Sequence, residues 1–255
     1  MSSYGLWLSA AGMKVSDHRQ TVLANNIANS STTGFKHDLA VVMQRRVESR
    51  ASADGASAAH PVLDGMSGGV NVLPTQFSRQ QGPIESTGRS LDVAVRGDGF
   101  FEVGDGESKR YTRNGEFAVN SAGEVILATE SGQWRVHDDG GVPILVDPAG
   151  DAVRVSEGGM VRQGTTEVGR VGLFNGEEPD GLRKSGENLF ESTTGRMVPA
   201  TGAIVSASRE GSTFDAVEGL ASMIEVSRAY QMNATMLQLQ DQLTGQAVTT
   251  LGRMA

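Results

Sequence analysis

The side chains best suited to hold a metal ion are histidines, cysteines and carboxylates, and their positions in this sequence do not form a site. The chain contains no cysteine, which excludes disulfides, thiolate chemistry and cysteine zinc sites. The acidic residues between 138 and 151 lie among glycines but lack the spacing of a calcium loop. The histidines are far apart and share no ligand spacing with the carboxylates: His18, His37, His60 and His137. The sequence therefore predicts no metal site.

The glycine-containing motifs also give no support for a nucleotide or substrate site. Gly97 and Gly99 begin a Gly-x-Gly motif, but Glu102 stands where the third glycine belongs, and there is no Gly-x-x-x-x-Gly-Lys loop. Arg96, Gly97 and Asp98 spell a cell-adhesion tripeptide, but a turn between two strands is the better explanation and needs no receptor. An enzyme would need a pocket that gathers residues distant in sequence, and nothing in the sequence predicts one. We therefore expect no catalytic residue, no cofactor and no enzymatic activity.

Composition and charge restrict the class of protein to which this chain can belong. Of 255 residues, 38% are hydrophobic and 20% are charged, which is typical of a globular protein. The net charge of −8 argues against a nucleic-acid partner bound through its phosphates. No apolar run reaches the length of a spanning helix, so we expect no direct membrane insertion. The amino terminus has no basic segment before a long apolar stretch, so we expect no cleaved signal peptide.

Two long helices are predicted at the ends of the chain, because every proline lies between Pro61 and Pro199. Each end also carries a heptad-like pattern, which predicts helices near residues 6–29 and 215–244 that lie side by side. The patterns contain many polar residues, so they either pack together within one monomer or need partners from other subunits. The first pattern is Leu8, Val15, Val22 and Asn29, with Ala11, His18 and Asn25 between them; the second is Met223, Val226, Tyr230, Asn233, Leu237, Gln240 and Thr244.

The middle of the chain has the alternation and the turn residues of antiparallel strands. "LDVAVRGDGFFEV" (91–103) predicts a hairpin that turns at Gly97-Asp98-Gly99. Further turns are predicted at Asn114-Gly115 and at Gly123. The fold class is therefore α+β, with a Gly-rich antiparallel β domain inserted between paired, coiled-coil-like terminal helices. The predicted divisions are 1–48 for the first helix and the stretch after it, 49–85 for an extended linker, 86–204 for the β domain and 205–255 for the last helix.

One stretch near the amino terminus resembles a known signature. "LANNIANSSTTGFK" (23–36) is similar to the amino-terminal motif of the bacterial flagellar axial family of rod and hook subunits. Thr33 stands where that family usually has proline, and Gln20-Thr21-Val22 replaces its common Leu-Asp stretch. The matching positions are Ala24, Asn25, Asn26, Ile27, Ala28, Asn29, Thr32, Gly34, Phe35 and Lys36.

The resemblance continues through two more segments in the same order. Residues 91–103, with the "YTRNGEFAVNSAGEVI" that follows, look like the β domain of the family, and "GLASMIEVSRAYQMNATM" (219–236) looks like its carboxy-terminal helix. The resemblance implies a non-enzymatic subunit that polymerises helically, with its terminal helices in an inner tube and its β domain outside. The implied partners are copies of itself, other rod or hook subunits and the flagellar export apparatus. The implied location is the periplasm-spanning rod of the flagellar basal body, reached without a cleaved signal peptide.

This resemblance assigns a subunit-interface role to residues of both helices and the first signature. The asparagines either bond across helices in the tube or cap the first helix, with Gly34 as its stop. The predicted interface residues are Leu8, Val15, Val22, Asn25, Asn26, Asn29, Phe35, Met223, Val226, Tyr230, Asn233 and Leu237.

The choice among family members depends on length and local motifs. Hook subunits usually carry an additional outer domain, for which 255 residues leave no room. "SRAY" (227–230) and the "NSSTTGFK" link favour a proximal-rod subunit, whereas "GENLFESTTG" and the length of the tail after Tyr230 resemble a distal-rod subunit. We expect the proximal type. The alternatives are a distal-rod or hook-type subunit, and a secreted β-rich binding module whose helices form a monomeric stalk.

Overall fold

The computed structural model describes residues 2–45, 69–129, 133–178 and 181–252. Helix α1 spans Ser2–Ala28 and helix α2 spans Ala216–Gly252. Antiparallel strands occupy the middle of the chain, so the predicted order of an amino-terminal helix, a central β region and a carboxy-terminal helix is confirmed. The strands are β1 (Asp38–Leu39), β2 (Val42–Gln44), β3 (Val70–Val72), β4 (Gln76–Phe77), β5 (Ile84–Ser86), β6 (Val93–Arg96), β7 (Phe100–Gly104), β8 (Lys109–Thr112), β9 (Phe117–Val119), β10 (Val125–Leu127), β11 (Arg135–Val136), β12 (Val153–Val155), β13 (Met160–Gln163), β14 (Thr166–Arg170), β15 (Leu173–Gly176), β16 (Leu182–Gly186), β17 (Leu189–Ser192), β18 (Met197–Pro199), β19 (Ala203–Ser206) and β20 (Ser208–Glu210).

The chain forms two compact units. The helical unit comprises residues 1–28, 38–76 and 216–255, and the β unit comprises residues 29–37 and 77–215. The first part of the predicted 49–85 linker lies outside the described residues, and its described part, 69–85, contains β3, β4 and the start of β5.

The helical unit is built on the antiparallel packing of α1 and α2. Gly5 of α1 lies against Gln240 of α2, and Gly12 lies against Asn233, so the two helices run in opposite directions. A Cβ atom added at Gly12 would stand 2.8 Å from Asn233 Oδ1, which leaves room only for glycine unless the amide moves. Strands β2 and β3 pair with each other in the same unit, Val42 opposite Val72.

The β unit is organised around a nine-stranded antiparallel sheet. Its order is β16-β17-β8-β7-β11-β10-β9, with β15 also beside β7 and β18 beside β15. Smaller sheets are β12-β13-β14, β19-β6 and β20-β5. The core beneath them consists of side chains that are 0% exposed, including Val93, Val95, Phe101, Val103, Phe117, Leu127 and Val136.

A second, aromatic cluster lies in the β unit. Phe190 stands 4.7 Å from Phe77 and 5.0 Å from Phe100 between ring centroids, and Tyr111 and Leu182 are buried with them. Aromatic pairs in such geometry stabilise a fold beyond the area they bury.

Two of the predicted turns do not make hairpins. Strands β6 and β7 are joined by Gly97-Asp98-Gly99, but β6 pairs with β19 and β7 pairs with β8, β11 and β15, so the predicted hairpin is wrong. Asn114-Gly115 likewise joins strands that are not neighbours, β8 and β9. The turn at Gly123 does close a hairpin, in which Val119 of β9 faces Val125 of β10. Turn residues specify a reversal of the chain, whereas the strand partner is chosen by burial in the core.

Candidate assembly surface

The predicted heptad-like pattern of α2 forms the side of the helix that packs on α1. Its members are each partly buried, whereas most neighbouring positions on α2 are exposed. Asn233 illustrates the contact, because its side chain reaches Gly12 of α1. The members that were predicted as interface residues, Met223, Val226, Tyr230, Asn233 and Leu237, therefore face their own chain's α1 or border that face.

The face of α1 that receives α2 is made of small residues. Ser9 and Ser16 are only 8% and 6% exposed, and they alternate with Gly5 and Gly12 along one side of the helix. Sequence reasoning missed this face because glycine and serine carry no hydrophobic signal. Of the predicted α1 pattern, Val22 is buried and Val15 is partly buried, but Leu8 is 41% exposed.

The three asparagines of the signature have different surroundings. Asn26 is 2% exposed and makes two hydrogen bonds with Asp38 of β1: its Nδ2 donates to the Asp38 carbonyl, and its Oδ1 accepts from the Asp38 amide, each at 2.8 Å. Asn29 follows the end of α1, where its carbonyl and Oδ1 accept bonds from Thr32. Asn25 is exposed. Asn26 therefore ties α1 to β1 within the helical unit.

Phe35 lies inside the β unit. It is 5% exposed, and the Lys184 ammonium stands 4.1 Å from the centre of its ring. The preceding Gly34 has φ of +67°, and a Cβ atom there would collide with the backbone of Arg113. Helix α1 ends at Ala28, several residues before Gly34, so Gly34 does not stop the helix as predicted. Glycine is needed at position 34 because the backbone there lies against the backbone of Arg113.

The opposite side of α2 carries a row of exposed apolar side chains, which we call the outer stripe. Its members are between 47% and 68% exposed and recur at helical spacing. These residues have helical spacing in the sequence, but the predicted interface lies in the polar pattern on the other side of α2. An exposed apolar row of this length is unusual for the surface of a monomer. The outer stripe consists of Leu220, Ile224, Met232, Met236, Leu239 and Leu243.

The β unit contains a buried charged cluster that includes the signature lysine. Glu210 is 0% exposed and accepts hydrogen bonds from Lys36 Nζ at 2.7 Å, from the Gly82 amide at 2.9 Å and from Arg113 Nη1 at 3.2 Å. Burial lowers the pKa of Lys36 from its ordinary value despite the nearby Glu210 carboxylate, and burial also lowers the pKa of Arg113. The cluster joins segments that are far apart in sequence, so no local pattern could have predicted it.

A second charged cluster surrounds Glu102 on β7. Its carboxylate bonds with His137 Nδ1 at 2.9 Å and with Lys109 Nζ at 2.7 Å. Burial raises the pKa of Glu102, but the bonds from His137 and Lys109 together outweigh that effect, so its pKa lies below the ordinary value. Burial, with the neighbouring Glu102 charge, raises the pKa of Tyr111 to about 12.

The described residues give no geometry for metal or membrane chemistry. No group of three or more His, Cys, Asp or Glu side chains among them could hold a metal ion. Within the same part of the chain, neither helix is long and apolar enough to cross a membrane. One Gly-x-Ser-x-Gly match in the sequence, at 65–69, falls outside the described residues except for Gly69.

Three family models match three separate parts of the chain. "Flagella basal body rod protein" matches residues 9–36, "Flagellar hook protein FlgE/F/G D1 domain" matches residues 94–163, and "Flagellar basal body rod FlgEFG protein C-terminal" matches residues 206–250. The first covers most of α1 and the signature, and the last covers most of α2.

Curated relatives extend the similarity over nearly the whole chain. The flagellar basal-body rod protein FlgF of Caulobacter vibrioides is 38% identical over 235 residues, which cover 91% of both chains. FlgG of Buchnera aphidicola subsp. Baizongia pistaciae is 30% identical over 258 residues, covering 93% of this chain and 96% of the relative. FlgG of Bacillus subtilis is 29% identical over 266 residues, covering 95% and 97%. The chain therefore belongs to the flagellar basal-body rod proteins, and it is a structural subunit of the rod rather than an enzyme.

Proposed function

We propose that this subunit assembles with copies of itself and with other rod and hook subunits through the outer stripe of α2. The observation that carries the proposal is the division of α2 into two faces, one packed on α1 and the other apolar and exposed. Exposing this row to water does not stabilise a monomer. Burying it against another subunit would stabilise the assembly by about 25 cal/mol for each Å² of apolar surface removed from water. Neighbouring helices in a polymer would provide that burial.

In this proposal the α1–α2 pair forms the coiled-coil-like core of the polymer, and the Gly-rich β unit lies outside it. Leu8 of α1, which is also exposed, belongs to the same assembly surface. Met223, Val226, Tyr230, Asn233 and Leu237 contribute by setting the position of α2 on α1. A head-to-tail contact whose rotation does not close gives an open helical filament, as a rod requires.

We also infer the route and position of the subunit. Membership of the flagellar basal-body rod family supports export by the flagellar apparatus to the periplasm-spanning part of the rod. The proximal assignment is supported by "SRAY" (227–230) and by the "NSSTTGFK" link. Labelling this subunit in electron micrographs of basal bodies tests the position, and label at the hook or the distal rod would contradict it.

The test of the assembly surface replaces two members of the outer stripe. Ile224 is 55% exposed and Met236 is 47% exposed. A carboxylate introduced at either position by Ile224→Asp or Met236→Asp remains in water in the monomer, which should keep its helix content and melting temperature. Val142→Asp is the matched control, because Val142 is 59% exposed in the β unit. In a flagellated bacterium lacking its own copy, we expect the control to restore motility and both stripe variants to fail.

The readouts separate assembly from folding. Basal bodies are isolated from each strain and probed for the subunit, while circular dichroism follows the purified monomers. If both stripe variants appear in basal bodies at the wild-type level and restore motility, the outer stripe is not the assembly surface. If the monomers lose helix, Ile224→Ser and Met236→Ser replace them, since these changes introduce no charge.

A further inference from the structure

Two arginines in the strand ladders of the β unit, Arg183 and Arg209, lie directly opposite a glutamate. Arg183 of β16 faces Glu191 of β17, with Nη2 and Oε1 2.5 Å apart. Arg209 of β20 faces Glu85 of β5, and their atoms are 3.1 Å apart. Cross-strand pairs of opposite charge stabilise a sheet, whereas like charges directly opposite each other destabilise it.

Arg154 departs from this arrangement. It lies on β12, at the edge of the β12-β13-β14 sheet, and its cross-strand partner on β13 is another arginine, Arg162. On the other side, Arg162 faces Glu167 of β14 and forms an ion pair with it at 2.5 Å. The row therefore contains two guanidinium groups and one carboxylate, and Arg154 forms no ion pair with any described residue.

A groove runs beside the two arginines. It has a volume of about 410 Å³ and is lined by Arg154, Arg162, Ser156, Asp151 and the small residues Ala152 and Gly164. A water molecule occupies about 30 Å³ in the liquid, so the groove has room for a side chain with its neighbouring backbone. Asp151 supplies one carboxylate, but it forms no ion pair with either arginine. The exposed guanidinium of Arg154 thus stands in a concave site with a hydroxyl group nearby and without a counter-charge in contact.

We propose that this groove docks an aspartate or glutamate side chain from a second copy of the chain. That carboxylate would form an ion pair with Arg154, as Glu167 does with Arg162. The guanidinium fork suits a carboxylate because two parallel N–H···O bonds can form. A second copy fits the chemistry because the chain carries a net charge of −8, and the acidic excess lies in the stretch that forms the β unit. The proposal rests on the self-assembly inferred above and adds a contact outside the helices.

The experiment captures the docked partner in assembled rods. A photo-crosslinking amino acid replaces Ala152, an exposed residue of the groove, so that Arg154 remains in place. The full-length subunit is expressed in a flagellated bacterium lacking its own copy, and basal bodies are isolated after irradiation. We expect an adduct of two copies, each of 26.8 kDa, whose crosslinked peptide from the second copy contains Asp or Glu.

Charge variants in the same background decide whether Arg154 is responsible. Arg154→Glu should lower the adduct yield about tenfold, the effect of losing one interfacial charge pair of about 1.4 kcal/mol. Arg154→Lys keeps the charge without the fork, so its yield should lie between those of the wild type and Arg154→Glu. Arg96→Glu is the matched control, because Arg96 is also exposed in the β unit and forms no ion pair with a described residue. Melting of the purified full-length subunit in a Trp7→Phe background, followed by Trp134 fluorescence, should be the same for all three variants.

The outcomes separate this contact from the assembly surface. No adduct of two copies, an adduct with a different protein, or an equal yield from Arg154→Glu and Arg96→Glu would overturn the groove contact while leaving the outer stripe untouched. If instead the unsubstituted subunit is absent from isolated basal bodies, the self-assembly fails first and the groove contact fails with it.

Discussion

The two units of this subunit bury their side chains in opposite ways. The β unit has a core of valine, leucine and phenylalanine side chains that are 0% exposed. The helical unit buries glycine and serine between its helices and leaves the outer stripe in water. Because apolar burial is the main favourable term in folding, we expect the β unit to be more stable than the helical unit in the monomer.

This difference suggests how one chain can be both folded and ready to assemble. A small-residue face on α1 lets α2 approach closely but contributes little apolar area. The large apolar side chains of the outer stripe on α2 are directed away from α1. Neighbouring subunits would supply the contacts that the isolated helical pair lacks, so we expect the helical unit to exchange its amide hydrogens faster than the β unit in the monomer.

The largest expected effect comes from the buried charged cluster of the β unit. Glu210→Gln leaves the Lys36 and Arg113 cations buried without their carboxylate, which should lower the free energy of unfolding by about 3–5 kcal/mol. Urea unfolding in a Trp7→Phe background, where Trp134 alone reports on the β unit, measures the change. Glu85→Gln is the control, because Glu85 and Arg209 are 53% and 43% exposed and their pair should contribute about 1 kcal/mol or less. Equal losses for the two variants would show that the buried cluster does not anchor the unit.

A charge buried in the helical unit should lower the stability of that unit and leave the stability of the β unit unchanged. Val22 is 7% exposed on α1, so Val22→Asp should lower the stability of the helical unit by about 3 kcal/mol and abolish rod assembly. Leu237→Asp, at a partly buried position on α2, should also lower the stability of the helical unit, but by less than Val22→Asp. Val142→Asp is the control, since Val142 is 59% exposed and lies in the β unit, outside both helices. In the Trp7→Phe background, circular dichroism follows the helices and Trp134 fluorescence follows the β unit. Functional rods from both variants at normal expression would mean that these helices are not the polymer core.

A volume change between the helices tests the small-residue face directly. Gly12→Leu must displace Asn233 of α2, and such overpacking costs about 1–3 kcal/mol. Gly245→Ala is the control, because no atom lies within 4 Å of its added Cβ, and it should stabilise α2 by about 1 kcal/mol. Thermal melting monitored by circular dichroism distinguishes them. An unchanged helix signal for Gly12→Leu would show that α1 and α2 do not depend on this close approach.

The helices could be predicted from sequence because their signals are local. Proline is absent from both ends, and the pattern from Met223 to Thr244 on α2 coincides with the side that is partly buried. The α1 face was missed because packing there depends on small volume rather than on hydrophobicity. Leu8 belongs to a seven-residue repeat, yet it is 41% exposed while Ser9 beside it is buried.

The strand partners and charged clusters could not be predicted because they depend on contacts distant in sequence. Val95 of β6 pairs with Ile204 of β19, and neither segment specifies the other. Lys36 was noticed only through the family signature, and its partner Glu210 gave no signal at all. The signature therefore located a structurally important residue, whereas its physical role in the β unit became apparent only from the fold.

The smallest expected effect is on the pH dependence of stability, and it concerns the β unit alone. The pKa of Glu102 is lower in the folded β unit than its ordinary value, so the charged carboxylate favours folding. Its contribution is fully present above the unfolded-state pKa of about 4.3 and is lost as the pH falls through the lower folded-state value. Glu102→Gln should therefore destabilise the β unit at neutral pH and approach the wild type as the pH falls from about 5 to about 3. Urea unfolding followed by Trp134 fluorescence measures this convergence, with Glu107→Gln as the control because Glu107 is exposed and has no ion pair with a described residue. A constant difference between Glu102→Gln and the wild type across that range would mean that lost packing, and not the carboxylate charge, explains the destabilisation.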